Sequence, residues 1–116
     1  MYFADYHTHS RISPDAFSSM TEMAEAAIRL GFQEICFTDH VEPIWFGSTE
    51  PRRTYDWAPL TEEFRAAQAA VGDRIQLRLG VELGDAVWDL AKSEAIMAQA
   101  PALDFVIGSI HILSER

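Results

Sequence analysis

Strand-like and helix-like segments alternate along this chain from its first residues. That alternation is the pattern of β/α units building a parallel sheet, not of a hairpin-rich β protein. Four strands are expected, Tyr2 to His9, Glu34 to His40, Ile75 to Leu83 and Asp104 to Ile112, each rich in apolar and β-favouring residues. Between the first two, Thr21 to Gly31 predicts a helix, with Thr21 as N-cap, Met23, Ala27 and Leu30 at helical spacing, and Gly31 as the stop. A second helix is expected from Thr61 to about Val71, following Pro59-Leu60 and ended by Gly72-Asp73. A third runs from Val87 to Ala100 and closes at Pro101. The segment 41–58 holds Pro43, Gly47 and Pro51 among Trp45, Phe46, Tyr55 and Trp57, and is read as a functional aromatic loop over the end of the second strand.

With 116 residues, 48% of them hydrophobic, there is material for one core, and no repeat, low-complexity tract or linker divides it. Parallel strands are normally covered on both faces, and a barrel needs more than four of them, so the chain reads as the first half of something larger. An open sheet edge of this kind is able to pair with another chain, which makes self-association an expectation.

The formal net charge of −9, with 9 scattered Lys and Arg residues, lacks the clustered positive charge that grips a nucleic acid backbone. Cys36 is the single cysteine, so no internal disulfide forms, and its apolar strand context gives it no chemical role. Neither a basic, apolar leader nor a bilayer-length apolar run is present, and a soluble cytoplasmic protein without membrane partners is expected.

A lone histidine is more often a hydrogen-bonded core or surface residue than a ligand, but the positions of the four here are not independent of the fold. His7 and His9 are two apart on a strand, where side chains alternate, so both rings point to one side and can share a cation. His40, Glu82 and His111 fall near the ends of the second, third and fourth strands. In parallel β/α architectures these ends converge on one rim, where active sites are built. Imidazoles with carboxylates suit zinc, manganese or iron, and a carboxylate such as Glu82 can bridge two ions. Asp5 shares the parity of His7 and either supports the site or bonds backbone or solvent. Asp39 alternates away from His40, which favours an orienting, hydrogen-bonding role over ligation. Asp15, in Ser13-Pro-Asp-Ala16, reads as a turn residue, with a further metal site as its alternative.

Asp5-Tyr-His-Thr-His-Ser10, Cys36-Phe-Thr-Asp-His40, Gly80-Val-Glu82 and Val106-Ile-Gly-Ser-Ile-His111 together resemble the first four motifs of the polymerase and histidinol phosphatase (PHP) superfamily. The Ser13-Pro-Asp-Ala16 turn, Phe37-Thr-Asp-His-Val-Glu42 and Asp104 to His111 look most like bacterial histidinol-phosphatases. The resemblance spans nearly the whole chain, and the set is specific where the His-x-His pair alone is not. It implies an α/β fold in which 1–116 forms the N-terminal half of a distorted (β/α)7 TIM-like barrel, part of a single PHP-type domain. It also implies two or three divalent ions: one on His7 and His9, Glu82 bridging to a second bound by His111, and Asp15 with His40 at a third. The implied reaction is hydrolysis of L-histidinol phosphate, a small phosphorylated substrate, in histidine biosynthesis. Family members run to more than twice this length, and their later motifs supply another His and an Asp-x-His pair. No histidine follows His111 here, so the chain is expected to be either a fragment or a shortened relative. Family arginines that bind phosphate also lie mainly downstream, so Arg11, Arg52 and Arg53 receive no role.

For the complete enzyme the expected chemistry is metal-assisted hydrolysis, with cations activating water and neutralising phosphoryl charge, and no general acid is named. The rivals are another PHP phosphoesterase acting on nucleoside phosphates, polynucleotides or phosphotyrosine, and a catalytically silent metal-binding or assembly module. A core with ordinary buried histidines predicts no tight metal binding at all.

Overall fold

The computed structural model describes residues 1–44 and 54–113. Its strands are β1 (Ala4–Thr8), β2 (Glu34–Val41), β3 (Gln76–Gly84) and β4 (Phe105–Ser109), and its helices α1 (Met20–Arg29), α2 (Ala58–Val71) and α3 (Leu90–Met97). The four strands form one sheet in sequence order, every pair parallel, as alternating β/α segments require. The sheet curls into an open portion of a barrel, with β1 and β4 at its edges.

β2 is buried along nearly its whole length, the expected state of a central parallel strand. Its outward residues Ile35, Phe37 and Val41 meet Leu79 and Val81 of β3, Met20, Ala24 and Ala27 of α1, and Leu60, Ala67 and Val71 of α2 in one core. Full burial of Phe37 and of Leu60 contributes about 1.5–3 kcal/mol each. Gly80 sits where sheet neighbours crowd: an added Cβ would lie 2.5 Å from the Phe105 carbonyl oxygen and 3.1 Å from Cys36 Sγ.

β1 carries a bulge. Ala4 and Asp5 pair with Glu34 and Ile35, yet Thr8 pairs with Phe37, so one extra residue intervenes. The bulge reverses the simple alternation: Asp5 sides with Ile35 and lies beside Met23 and Ala27 of α1, while His7 and His9 face inward. The shared parity expected for Asp5 and His7 is therefore lost, and Asp5 Oδ1 accepts the His7 backbone N–H at 3.0 Å. At the other end of the inner face the buried Glu34 carboxylate accepts from the hydroxyls of Tyr2, at 2.7 Å, and Tyr6.

Several boundaries differ from expectation for local reasons. α1 is capped by Ser19, not Thr21: Ser19 Oγ accepts the Glu22 N–H at 3.1 Å and Glu22 answers to the Ser19 N–H, a capping box that Ser-Met-Thr-Glu spells out. Gly31, at φ 86°, provides the left-handed exit. α2 starts at Ala58 because a proline in the first turn costs no hydrogen bond. The expected third helix is split: residues Ala86–Trp88 make a 3-10 turn, and Asp89 breaks it before capping α3 through Lys92 N–H. β4 ends at Ser109 instead of Ile112 because Asp85 Oδ1 takes the backbone N–H groups of His111 and Ile112, at 2.8 and 3.1 Å. Of the aromatic loop, Trp45 and Phe46, with Arg52 and Arg53, lie outside the described residues, whereas Tyr55 and Trp57 pack edge to face with ring centroids 4.7 Å apart. No helix among the described residues is long and apolar enough to cross a membrane.

Candidate metal centre

The in-register pairing of β2 with β3 sets His40 beside Glu82 on the inner face. The bulge in β1 brings His7 and His9 to the same place, and the chain leaving β4 carries His111 there. Glu82, 3% exposed, stands at the middle. Its Oε1 lies 2.6 Å from His7 Nε2 and 3.2 Å from His9 Nε2, and its Oε2 lies 2.9 Å from His111 Nε2 and 3.3 Å from His40 Nδ1. Ser109 Oγ donates to Glu82 Oε2 at 3.2 Å.

Asp15 joins from the loop after β1. Its Oδ2 is 3.2 Å from His9 Nδ1 and 3.1 Å from His40 Nε2, so the turn residue is also part of the cluster. What holds this loop is Asp39, which is fully buried. Its Oδ1 accepts Ser10 N–H and Ser13 Oγ–H, each at 2.6 Å, and its Oδ2 accepts Ser10 Oγ–H at 2.8 Å. Asp39 thus points away from the rings and orients the segment between His9 and Asp15, the role its strand parity suggested.

Two carboxylates that sequence reasoning passed over complete the site. Glu42 Oε1 lies 3.0 Å from His40 Nδ1 and 3.3 Å from His111 Nδ1. Asp85, 2% exposed and in the left-handed region at φ 55°, anchors the His111 backbone. The signal for Glu42 was present, since it is two residues beyond His40 and shares its side of the strand. Asp85 had none, because its position depends on a turn after β3.

The donor set fits cations. A neutral imidazole has one N–H and one lone pair. His9, His40 and His111 each face carboxylate oxygens with both ring nitrogens, at 2.9–3.3 Å. Each ring therefore sets a lone pair against an anionic oxygen unless positive charge stands between them or on the ring. Among the described residues, four overlapping groups have ligand atoms close enough to share an ion: His7, His9 and Glu82; His9, Asp15 and His40; His40, Glu82 and His111; and Glu42, Asp85 and His111. His9, His40, Glu82 and His111 each belong to two of these groups.

The carboxyls respond to these neighbours. Desolvation raises Glu82, but its hydrogen bond to His7, the charge of His40 and the contact with His9 outweigh burial and hold it below the usual range. Asp15 is likewise held low, desolvation being overcome by His9 and His40. Glu42 goes the other way: burial pushes it up, against the pull of His111 and His40. Beside the cluster opens a cavity of about 510 Å³, lined by Arg11, Asp15, His40, Glu42, Tyr55 and His111 among others, a size that suits a small metabolite.

Residues 5–116 match the PHP domain family. The chain belongs to that family. A histidinol-phosphatase of Lactococcus lactis is 30% identical to this PHP domain over 111 residues, covering 96% of the chain and 40% of the relative. A probable histidinol-phosphatase of Deinococcus radiodurans is 29% identical over 110 residues, covering 94% of the chain and 42% of the relative. The crystal structure of histidinol phosphate phosphatase from Lactococcus lactis, complexed with zinc, L-histidinol and phosphate, superposes with a TM-score of 0.83 at 29% identity, over 97% of this chain and 41% of that one. The chain thus spans about 40% of the length of the relatives it matches, and the parallel α/β barrel architecture of its PHP domain is shared with a zinc-binding neighbour.

Proposed function

We propose that this PHP domain contributes a divalent-metal centre to a phosphomonoester hydrolase of the histidinol-phosphatase type. Its single strongest support is the convergence of four imidazoles on the two oxygens of one buried carboxylate, Glu82. In this reading His7, His9 and Glu82 hold one ion, Glu82 bridges to a second held by His111, and Asp15 and His40 hold a third, zinc, manganese and iron all suiting the donors. Such ions supply Lewis acidity toward phosphoryl oxygen and lower the pKa of water. The protein's part is placement. Glu82 keeps both oxygens committed, Asp39 fixes the loop that carries Asp15, and Arg11, its Nε paired with Glu63, lines the cavity wall.

L-histidinol phosphate is the preferred substrate in this reading, because the zinc-containing neighbour was crystallised with L-histidinol and phosphate. The test is phosphate release by the purified chain with added zinc or manganese, against nucleoside monophosphate and phosphotyrosine. Release from L-histidinol phosphate that stops on chelation, and in the His7→Ala/His9→Ala variant, is the expected result. Preference for either other ester would move the assignment within the phosphoesterases. Bound metal without any turnover would make the chain a metal-holding module.

A further inference from the structure

We propose that Glu42 is a positioning residue of the metal centre, setting the ring tautomer of His40, and that Gly84 is present to make room for its carboxylate. The proposal rests on the metal-centre reading above. It starts from hydrogen-bond capacity. His40 Nδ1 faces Glu42 Oε1 at 3.0 Å with hydrogen-bond geometry, and faces Glu82 Oε2 at 3.3 Å; His40 Nε2 faces Asp15 Oδ2 at 3.1 Å. The ring has one proton to place when neutral. With that proton on Nδ1 and given to Glu42, Nε2 turns a lone pair toward Asp15 and becomes the ligand atom. With the proton on Nε2, the ring spends it on Asp15 and the third ion loses its His40 donor. A carboxylate on the far nitrogen is the usual device for fixing this choice. The same Glu42 oxygen lies 3.3 Å from His111 Nδ1, so one carboxylate stands behind two rings.

Gly84 is an independent observation pointing the same way. It is a buried strand-end residue, and its φ is not in the left-handed region, so backbone freedom does not explain it. Space does: a Cβ at Gly84 would collide with the Glu42 carboxylate, 2.5 Å from Oε1 and 2.6 Å from Cδ. The Glu42 side chain is only 15% exposed, so it has little room to retreat with the site intact. Any residue larger than glycine at 84 must displace the carboxylate that backs His40.

The experiment is ring-nitrogen NMR of the full 116-residue chain at mildly alkaline pH, metal-free and with zinc, together with zinc affinity by chelator competition. Wild type is expected to show His40 protonated at Nδ1. Glu42→Ala should shift His40 toward the Nε2–H form and weaken zinc binding roughly 10–100-fold. The isosteric Glu42→Gln, whose amide oxygen still accepts the Nδ1 proton, should restore much of both in a chain whose shape is kept. Gly84→Ala alone should reproduce the loss, and added to Glu42→Ala should change affinity by less than about twofold, because the residue it displaces is gone. Unchanged tautomer and zinc affinity in Glu42→Ala would overturn the proposal, as would a Gly84→Ala loss that persists in full on the Glu42→Ala background. A wild-type chain that binds no zinc overturns the metal-centre reading instead, while the His40 tautomer of the metal-free protein still decides the role of Glu42.

Discussion

His7 Nε2 ends 2.6 Å from Glu82 Oε1 across 75 residues of sequence. That contact ties the edge strand β1 to the end of β3 over the inner face of the sheet, and it exists because a bulge turns His7 inward while parallel register carries Glu82 to the same rim. Replacing Glu82 with Gln keeps the volume and removes the charge shared by four rings. The expected result is a folded chain by circular dichroism whose zinc affinity falls by more than about 100-fold, beyond the cost of losing an outer partner. Wild-type affinity in Glu82→Gln would show that the rings do not act around this carboxylate.

Asp39 makes a separable prediction. Asp39→Ala strips the acceptor from Ser10 N–H, Ser10 Oγ–H and Ser13 Oγ–H in a fully buried place. Leaving buried donors unsatisfied costs about 1–3 kcal/mol each, less whatever water recovers. Urea denaturation should show a loss of several kcal/mol in Asp39→Ala and a smaller one in Asp39→Asn, whose amide still offers one oxygen.

Gly80→Ala tests the packing of β3 against β4. The obstructing atom is the Phe105 carbonyl oxygen, which belongs to the sheet and cannot swing aside. A destabilisation of about 1–3 kcal/mol is expected from overpacking, read from the shift of the urea midpoint. A midpoint equal to wild type would mean that β4 is free to move.

Burial pushes the Cys36 thiol up to about 12. The thiolate is the reactive form, so iodoacetamide near pH 8 should leave the native chain unmodified and label it once urea unfolds it, as read by mass spectrometry. Rapid native labelling would contradict the position of Cys36 inside the sheet.

Glu25 and Arg74 join α1 to the turn after α2, with Arg74 Nη1 3.1 Å from Glu25 Oε2, and the guanidinium holds the Glu25 carboxyl below its ordinary value. A carboxyl depressed in the folded state contributes stability above its unfolded pKa and loses it as pH falls through the folded one. Wild type should therefore exceed Glu25→Gln in stability at neutral pH by a small margin, as exposed pairs do, and the two should converge in acid.

The parallel order of strands and the rim on which His7, His9, His40, Glu82 and His111 meet were legible because strand parity and chain direction are local properties that propagate across a sheet. Glu42 was legible by the same parity and closed the Phe37-Thr-Asp-His-Val-Glu42 segment, yet it received no role there. The inward turn of His7 relative to Asp5 was not legible, since a bulge is decided by pairing with β2 and leaves no mark in Ala-Asp-Tyr-His-Thr. Asp15 reads as a turn from its local sequence and entered the expected metal set only through the family resemblance, because tertiary folding is what brings its oxygen to His9 and His40. The Ser19 cap was written plainly as Ser-x-x-Glu, yet Thr21 lies nearer the apolar repeat.

Metal content by elemental analysis, measured on the purified wild-type chain and on His7→Ala/His9→Ala after dialysis against zinc, tests the central claim most directly. The account predicts zinc retained by the wild type in at least one equivalent per chain and strongly reduced in the variant. Equal zinc in both, or none in either, would contradict a metal centre built on His7, His9 and Glu82.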